Sequence, residues 1–153
     1  VITEQRFVNG VRDKWHPIRC LTRGVFVFRE DPDVELEIGA DHAWTYAGFL
    51  LNGSHDVPTE HRKQIRRFAS RAGHSAKRRA VIDIGDMNKK VQNDRLTMVE
   101  NVMAAAGMRV LAKRHLDYVF GSDKVELEDA KYIPAEKVHT DHPAFLIDIK
   151  VRP

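Results

Sequence analysis

Three short segments place an acid, an amide or an imidazole directly at one end of an apolar run: Gly85-Asp86-Met87-Asn88, Leu116-Asp117-Tyr118 and Thr140-Asp141-His142. A carboxylate at a strand end can hold a hard cation such as Mg²⁺ through oxygen. An asparagine beside it can hydrogen-bond a phosphate oxygen or fix a water. A histidine next to the acids can stabilise charge developing on a phosphoryl group, or move a proton. Taken singly, each segment also reads as ordinary turn chemistry, since Gly-Asp-x-Asn favours turns and Asp-His is a common pair. Their succession along one chain, divided by strand and helix patterns, sets them apart.

The elements that must position these residues follow from periodicity. Gly24 to Arg29 and Val34 to Ile38 alternate as half-buried strands around an Asp31-Pro32-Asp33 turn. Trp44 to Asn52 predicts a longer, more buried strand closed by Asn52-Gly53. Ile65, Phe68, Ala69 and Ala72 recur at helical spacing, with Pro58 and Thr59 near the start and Gly73 after the end. Ala80 to Ile84 reads as a buried strand running into Gly85-Asp86. A second helix carries Leu96, Val99, Met103 and Ala106 on one face and stops at Gly107. Met108 to Ala112, Leu116 to Phe120 and Ala144 to Val151 supply three more strands. Mixed strands with few helices indicate layered α/β packing, with chemistry at the polar strand ends.

At 153 residues, 42% hydrophobic and 31% charged, the chain has the size and composition of one soluble domain spanning residues 1–153. No apolar run approaches the roughly 18 residues of a membrane span, so no membrane partner is expected. The single cysteine, Cys20, excludes an internal disulfide and makes a reducing, cytoplasmic compartment the default expectation. The chain opens at Val1 rather than Met, which leaves room for an upstream start. Oligomeric state is not legible.

Charge is distributed unevenly. From His61 to Ile82 there are eight Lys or Arg and no acid, among them Arg62, Arg66, Arg67 and Arg71. Setting those eight aside leaves 17 of the 25 basic residues against 22 acids, so the remainder is net acidic. Such a stretch fits a polyanion-binding face, and equally a solvated helix face. Trp15, Trp44 and Tyr46 have the chemistry to stack on a base, although core packing is their commoner use. Asp83 carries no assigned role. His139 and His142 lie three apart, but no second Cys or His pair stands at zinc-ligand spacing.

The run VIDIGDMN (81–88) resembles the Gly-Asp-x-Asn motif of the endonuclease/exonuclease/phosphatase superfamily, which includes DNase I, abasic-site endonucleases and sphingomyelinases. HLDYVF (115–120) resembles its Asp-Tyr strand, and HTDHPAFLIDI (139–149) its final Ser-Asp-His motif entering the last strand. Thr140 replaces the usual Ser. Ala144 stands where many members carry Pro, with Pro143 one place early. The match runs from about Tyr46 to Lys150. Further upstream, LLNGSH (50–55) resembles the strand ending in a functional histidine, and Val1 to Glu4 the strand ending in a metal-binding glutamate.

The resemblance implies a two-sheet α/β sandwich with its first strand, which carries a phosphate-side Asn, missing before Val1. It implies Mg²⁺ or Mn²⁺ held by Glu4 and Asp141. Asp86 would orient or deprotonate the attacking water, and Asn88 would bind a phosphate oxygen. Asp117 would pair with His142 and favour its imidazolium, and His142 and His55 would stabilise the phosphoryl group from two sides. The expected activity is phosphodiester hydrolysis on DNA or RNA, with Arg62, Arg66, Arg67 and Arg71 as nucleic-acid contacts. A phosphatase or lipid phosphodiesterase, or a non-catalytic nucleic-acid-binding domain, is the alternative. Without the first strand the chain is expected to be inactive or only weakly active alone, and an upstream extension of about one strand should raise both stability and turnover.

Overall fold

Ala80 to Asp83 has no face for water, and the structure buries it on both sides at the centre of a sheet. The computed structural model describes the backbone of all residues except 1, 9–18, 29–32, 44–52, 54–55, 89–93 and 139–141. It describes the side chains of 33–43, 53, 56–88, 98–137 and 142–153. The strand expected at Trp44 to Asn52 therefore falls outside the described residues. So do His55 and Asp141.

Among the described residues six strands form the larger sheet: β1 (Ile2–Val8), β2 (Arg19–Phe28), β3 (Glu35–His42), β4 (Ala80–Asp86), β5 (Met108–Arg114) and β6 (Asp117–Ser122). Their order is β1-β2-β3-β4-β6-β5, and among the described residues only β3 and β4 run parallel. A parallel pair needs a crossover, which α1 (Val57–Ala76) supplies between them. A second helix, α2 (Asp94–Ala105), precedes β5. The smaller sheet pairs β7 (Val125–Ile133) with β8 (Ala144–Val151), antiparallel.

The layers follow from which side chains are apolar. Both helices cover one face of the large sheet, where Ile65, Phe68, Val99 and Met103 meet Val81 and Phe120. On the other face Leu36, Ile82 and Val119 meet Phe145, Ile147 and Ile149 of β8. The result is a layered α/β sandwich with two sheets. Among the described residues no helix is long and apolar enough to cross a membrane.

Helix α1 starts where its caps place it. Asp56 accepts a hydrogen bond from the Thr59 N–H at 3.2 Å, and Pro58 lies in the first turn, where its missing N–H costs nothing. Gly73, expected to end the helix, lies inside it. A Cβ there would come within 2.6 Å of the Ala106 carbonyl oxygen, so the glycine permits α1 to touch the end of α2. Two strands also differ from expectation. β3 runs on past Ile38 to His42, and β7, too charged to stand out, buries Val125 while Glu128, Asp129 and Lys131 face water.

Gly85 stands where no side chain fits. A Cβ at this position would lie 1.9 Å from the Asp41 carbonyl oxygen, because the end of β3 closes directly on it. Gly85→Ala is expected to destabilise by about 1–3 kcal/mol through overpacking. In a domain of this size that is a melting-point loss of roughly 2–12 °C. A melt indistinguishable from the parent would show that the two strands separate freely.

Candidate active site

Pairing aligns three strand ends. β3 and β4 run side by side with Asp41 opposite Gly85 and His42 opposite Asp86, and β6 enters with Asp117 opposite Asp86. Side chains alternate along a strand, so His42, Asp86 and Asp117 share the face that looks toward β8. His142 stands two residues before β8 begins. The sheet thus gathers two carboxylates and two imidazoles from segments far apart in sequence.

Their distances are those of one cluster. His142 Nδ1 lies 3.0 Å from Asp117 Oδ1, and its Nε2 lies 3.7 Å from Asp86 Oδ2. His42 Nε2 approaches the same Asp86 oxygen to 3.4 Å. The Asp86 side chain, 11% exposed, therefore sits between two imidazoles that are 33% and 42% exposed. Burial pushes the Asp117 carboxyl above the usual carboxylate range, while His142 opposes the rise by charge and hydrogen bond and Asp86 adds to it.

The turn that presents Asp86 is fixed at several points. The Asn88 N–H donates to Asp86 Oδ1 at 2.7 Å, and Asn88 Nδ2 donates to the Ala43 carbonyl at 2.6 Å. Asn88 adopts φ 42°, in the left-handed region that asparagine tolerates better than most residues. The Met87 N–H donates to the Leu116 carbonyl at 2.8 Å, and the Met87 carbonyl lies 2.8 Å from Nε2 of the buried His61. Asn88, expected to contact a phosphate, is here engaged in tying the turn to the end of β3. Tyr118, next to Asp117, points to the opposite face and stacks on Phe120 with centroids 5.2 Å apart. Burial pushes its hydroxyl up to about 12, which removes it as an acid or base near neutral pH.

The cluster closes one end of a cleft of about 840 Å³ between the two sheets. Leu36, Ile38, Ile82 and Val119 form one wall and Phe145 and Ile147 the other. The polar end and the apolar length are continuous.

Asp86, Asn88, Asp117 and His142, expected in one site, are brought together. Glu4 is not. Its register partner is Val27, itself opposite Glu35 at the start of β3. The eight residues of β3 then separate it from the strand ends by roughly 20 Å along the sheet. The assignment of Glu4 to a strand end is corrected on this point: it lies within the edge strand β1. His55 and Asp141 lie outside the described residues.

Among the described residues a second histidine, His42, reaches the cluster beside His142, and sequence reasoning passed it over. Its signal was available. Continuing the alternation Leu36, Ile38, Ala40 gives His42 on the same face, and Asp41-His42 repeats the Asp-His pair at 141–142.

Among the described residues no group of three or more His, Cys, Asp and Glu side chains is arranged to hold a metal ion. Asp86 and Asp117 face one cleft, but each has an oxygen committed to a protein partner. The described side chains alone do not form a cation cage.

On α1, Arg62, Arg66 and Arg67 are exposed, as are Lys77 and Arg78 beyond it. Arg71 differs. Its guanidinium lies 2.8 Å from Oδ1 of Asp41, whose side chain is 0% exposed. His61, near the N-terminal end of α1, contacts the Met87 carbonyl beside Asp86.

No protein-family model matches the chain, and no curated protein matches it. Solved structures do. An endonuclease/exonuclease/phosphatase from Beutenbergia cavernae matches with TM-score 0.62 and 13% identity, covering 99% of this chain and 45% of that one. D. rerio TDP2, complexed with a single-strand DNA product, matches at 0.60 and 15%, covering 98% and 68%. The mannosyl-6-phosphatase Bt3783 of Bacteroides thetaiotaomicron matches at 0.56 and 11%, covering 98% and 67%. The chain spans 45% to 68% of the length of these three structures. With the strand order, the two layers and the strand-end cluster in place, these likenesses identify the fold as that of the endonuclease/exonuclease/phosphatase superfamily.

Proposed function

We propose that the cluster hydrolyses phosphate esters with Mg²⁺ or Mn²⁺ as cofactor, and that nucleic acid is the preferred substrate. The observation that carries this reading is the Asp86 carboxylate held between His42 and His142, with Asp117 behind His142. An anionic phosphoryl group entering the cleft meets two imidazole N–H donors, and charge that builds on its oxygens is stabilised there. Asp86 stands where a water attacking that group would lose its proton. Asp117 orients the His142 ring through Nδ1, which leaves Nε2 for the substrate side. The metal requirement is part of the proposal, with Asp141 its ligand from beside His142.

Preference for nucleic acid rests on Arg62, Arg66 and Arg67, an exposed cationic row on α1. Binding to single- and double-stranded oligonucleotides should weaken steeply with salt. Charge reversal at these three positions should flatten the slope of log K against log salt by roughly 0.7–0.9 for each phosphate no longer neutralised. An unchanged slope would leave the row a solvated face.

A second reading has its own observation. The apolar cleft that continues from the cluster fits an ester whose leaving group or acyl chain is apolar. Hydrolysis rates on oligonucleotides, sugar phosphates and phospholipid esters, measured side by side, separate the two.

A further inference from the structure

Arg71 stands in the basic stretch, yet its geometry sets it apart from the neighbouring cations. Its guanidinium reaches inward to Asp41, 2.8 Å away, and lies 5.7 Å from the Phe68 ring centroid. Asp41 is the residue before His42. The two side chains leave β3 on opposite faces: Asp41 toward α1, His42 toward Asp86. Directly beside them the Asp41 carbonyl presses on Gly85, where no Cβ fits. The last residues of β3 are therefore gripped from the helix side at the point where they must present an imidazole on the other side.

We infer that Arg71 is a positioning residue. Through Asp41 it fixes the end of β3 so that His42 Nε2 faces the Asp86 carboxylate, and it is not a contact to a polyanion. His61 on the same helix holds the Met87 carbonyl, so α1 steadies the ends of both β3 and β4. The role of His42 in hydrolysis rests on the function proposed above; the aim of its ring does not.

The experiment measures three quantities in Arg71→Ala and Arg71→Lys: kcat and KM, the salt slope of oligonucleotide binding, and the ring signals of His42 by NMR. Arg71→Ala should lower kcat by about 10²-fold, the loss typical of a misplacement of order 1 Å. KM and the salt slope should hold, the His42 ring signals should move, and Arg71→Lys should restore much of each. Should Arg71→Ala not fold, the pair Asp41→Leu with Arg71→Met removes both charges together and leaves no carboxylate buried alone. In that pair, kcat should stay low and the His42 signals displaced even when the melt is recovered. A flattened salt slope in Arg71→Ala would make Arg71 a substrate contact and overturn the inference, as would unmoved His42 signals. The hydrolysis rates bear on the proposed function, while the His42 signals by themselves decide the role of Arg71.

Discussion

Asp86→Asn is expected to lower kcat for phosphate-ester hydrolysis by about 10²–10⁴-fold, the usual contribution of a positioned acid–base group. The substitution keeps the size of the side chain. It also keeps an oxygen to accept the Asn88 N–H, so the turn retains the 2.7 Å bond that shapes it. What changes is the second oxygen, 3.4 Å from His42 and 3.7 Å from His142. An amide there bears no charge to meet the imidazoles and does not take a proton from water. Turnover should therefore collapse while the thermal midpoint moves by only a few degrees. Kinetics and a circular-dichroism melt on the same sample make the comparison. A variant with parental kcat would reduce Asp86 to the cap of its turn.

Asp117→Asn, His142→Ala and the double substitution are expected to lose similar amounts of rate, each in the range of about 10²-fold or more. The reason is contact: Asp117 Oδ1 and His142 Nδ1 are 3.0 Å apart, and groups that act as one unit do not lose rate additively. The pair also carries a signed expectation. Burial raises the Asp117 carboxyl and His142 pulls it back, so His142→Ala should lift that carboxyl further, while substitution of Asp86 should let it fall. Carbonyl-detected NMR titration reads both directions. Independent, additive rate losses, or an Asp117 titration indifferent to His142, would mean that the two do not cooperate.

Local patterns carried the last strand and the second helix. β8 spans Ala144–Val151 as its alternation indicates, and α2 begins and ends close to where its apolar face does. The site was legible where a motif ends an apolar run, as at Asp86 and Asp117. It was not legible where the strand outlasts its hydrophobicity. Gly39 to His42 holds its place in β3 through the parallel ladder with Gly85 and Asp86 and through the Asp41–Arg71 ion pair, both made between residues distant in sequence. No local pattern announces such pairings, and His42 was missed for that reason. Arg71 shows the same limit in reverse. Composition groups it with Arg66 and Arg67, and only the fold shows that its guanidinium pairs with the buried Asp41. Glu4 was read as the end of a strand because Val1 to Glu4 resembles the strand that ends in a metal-binding glutamate, whereas pairing with β2 carries that strand on to Val8.

One assay bears most directly on the metal-assisted cluster: hydrolysis of a model phosphodiester by the 153-residue chain over long incubation, with Mg²⁺, with Mn²⁺ and with EDTA, beside Asp86→Asn. The expected result is slow turnover that requires the divalent cation, disappears in EDTA, returns when the cation is restored, and is absent from Asp86→Asn under every condition. Turnover that persists in EDTA, or that Asp86→Asn retains in full, would contradict the assignment of this cluster as a metal-assisted phosphate-ester site.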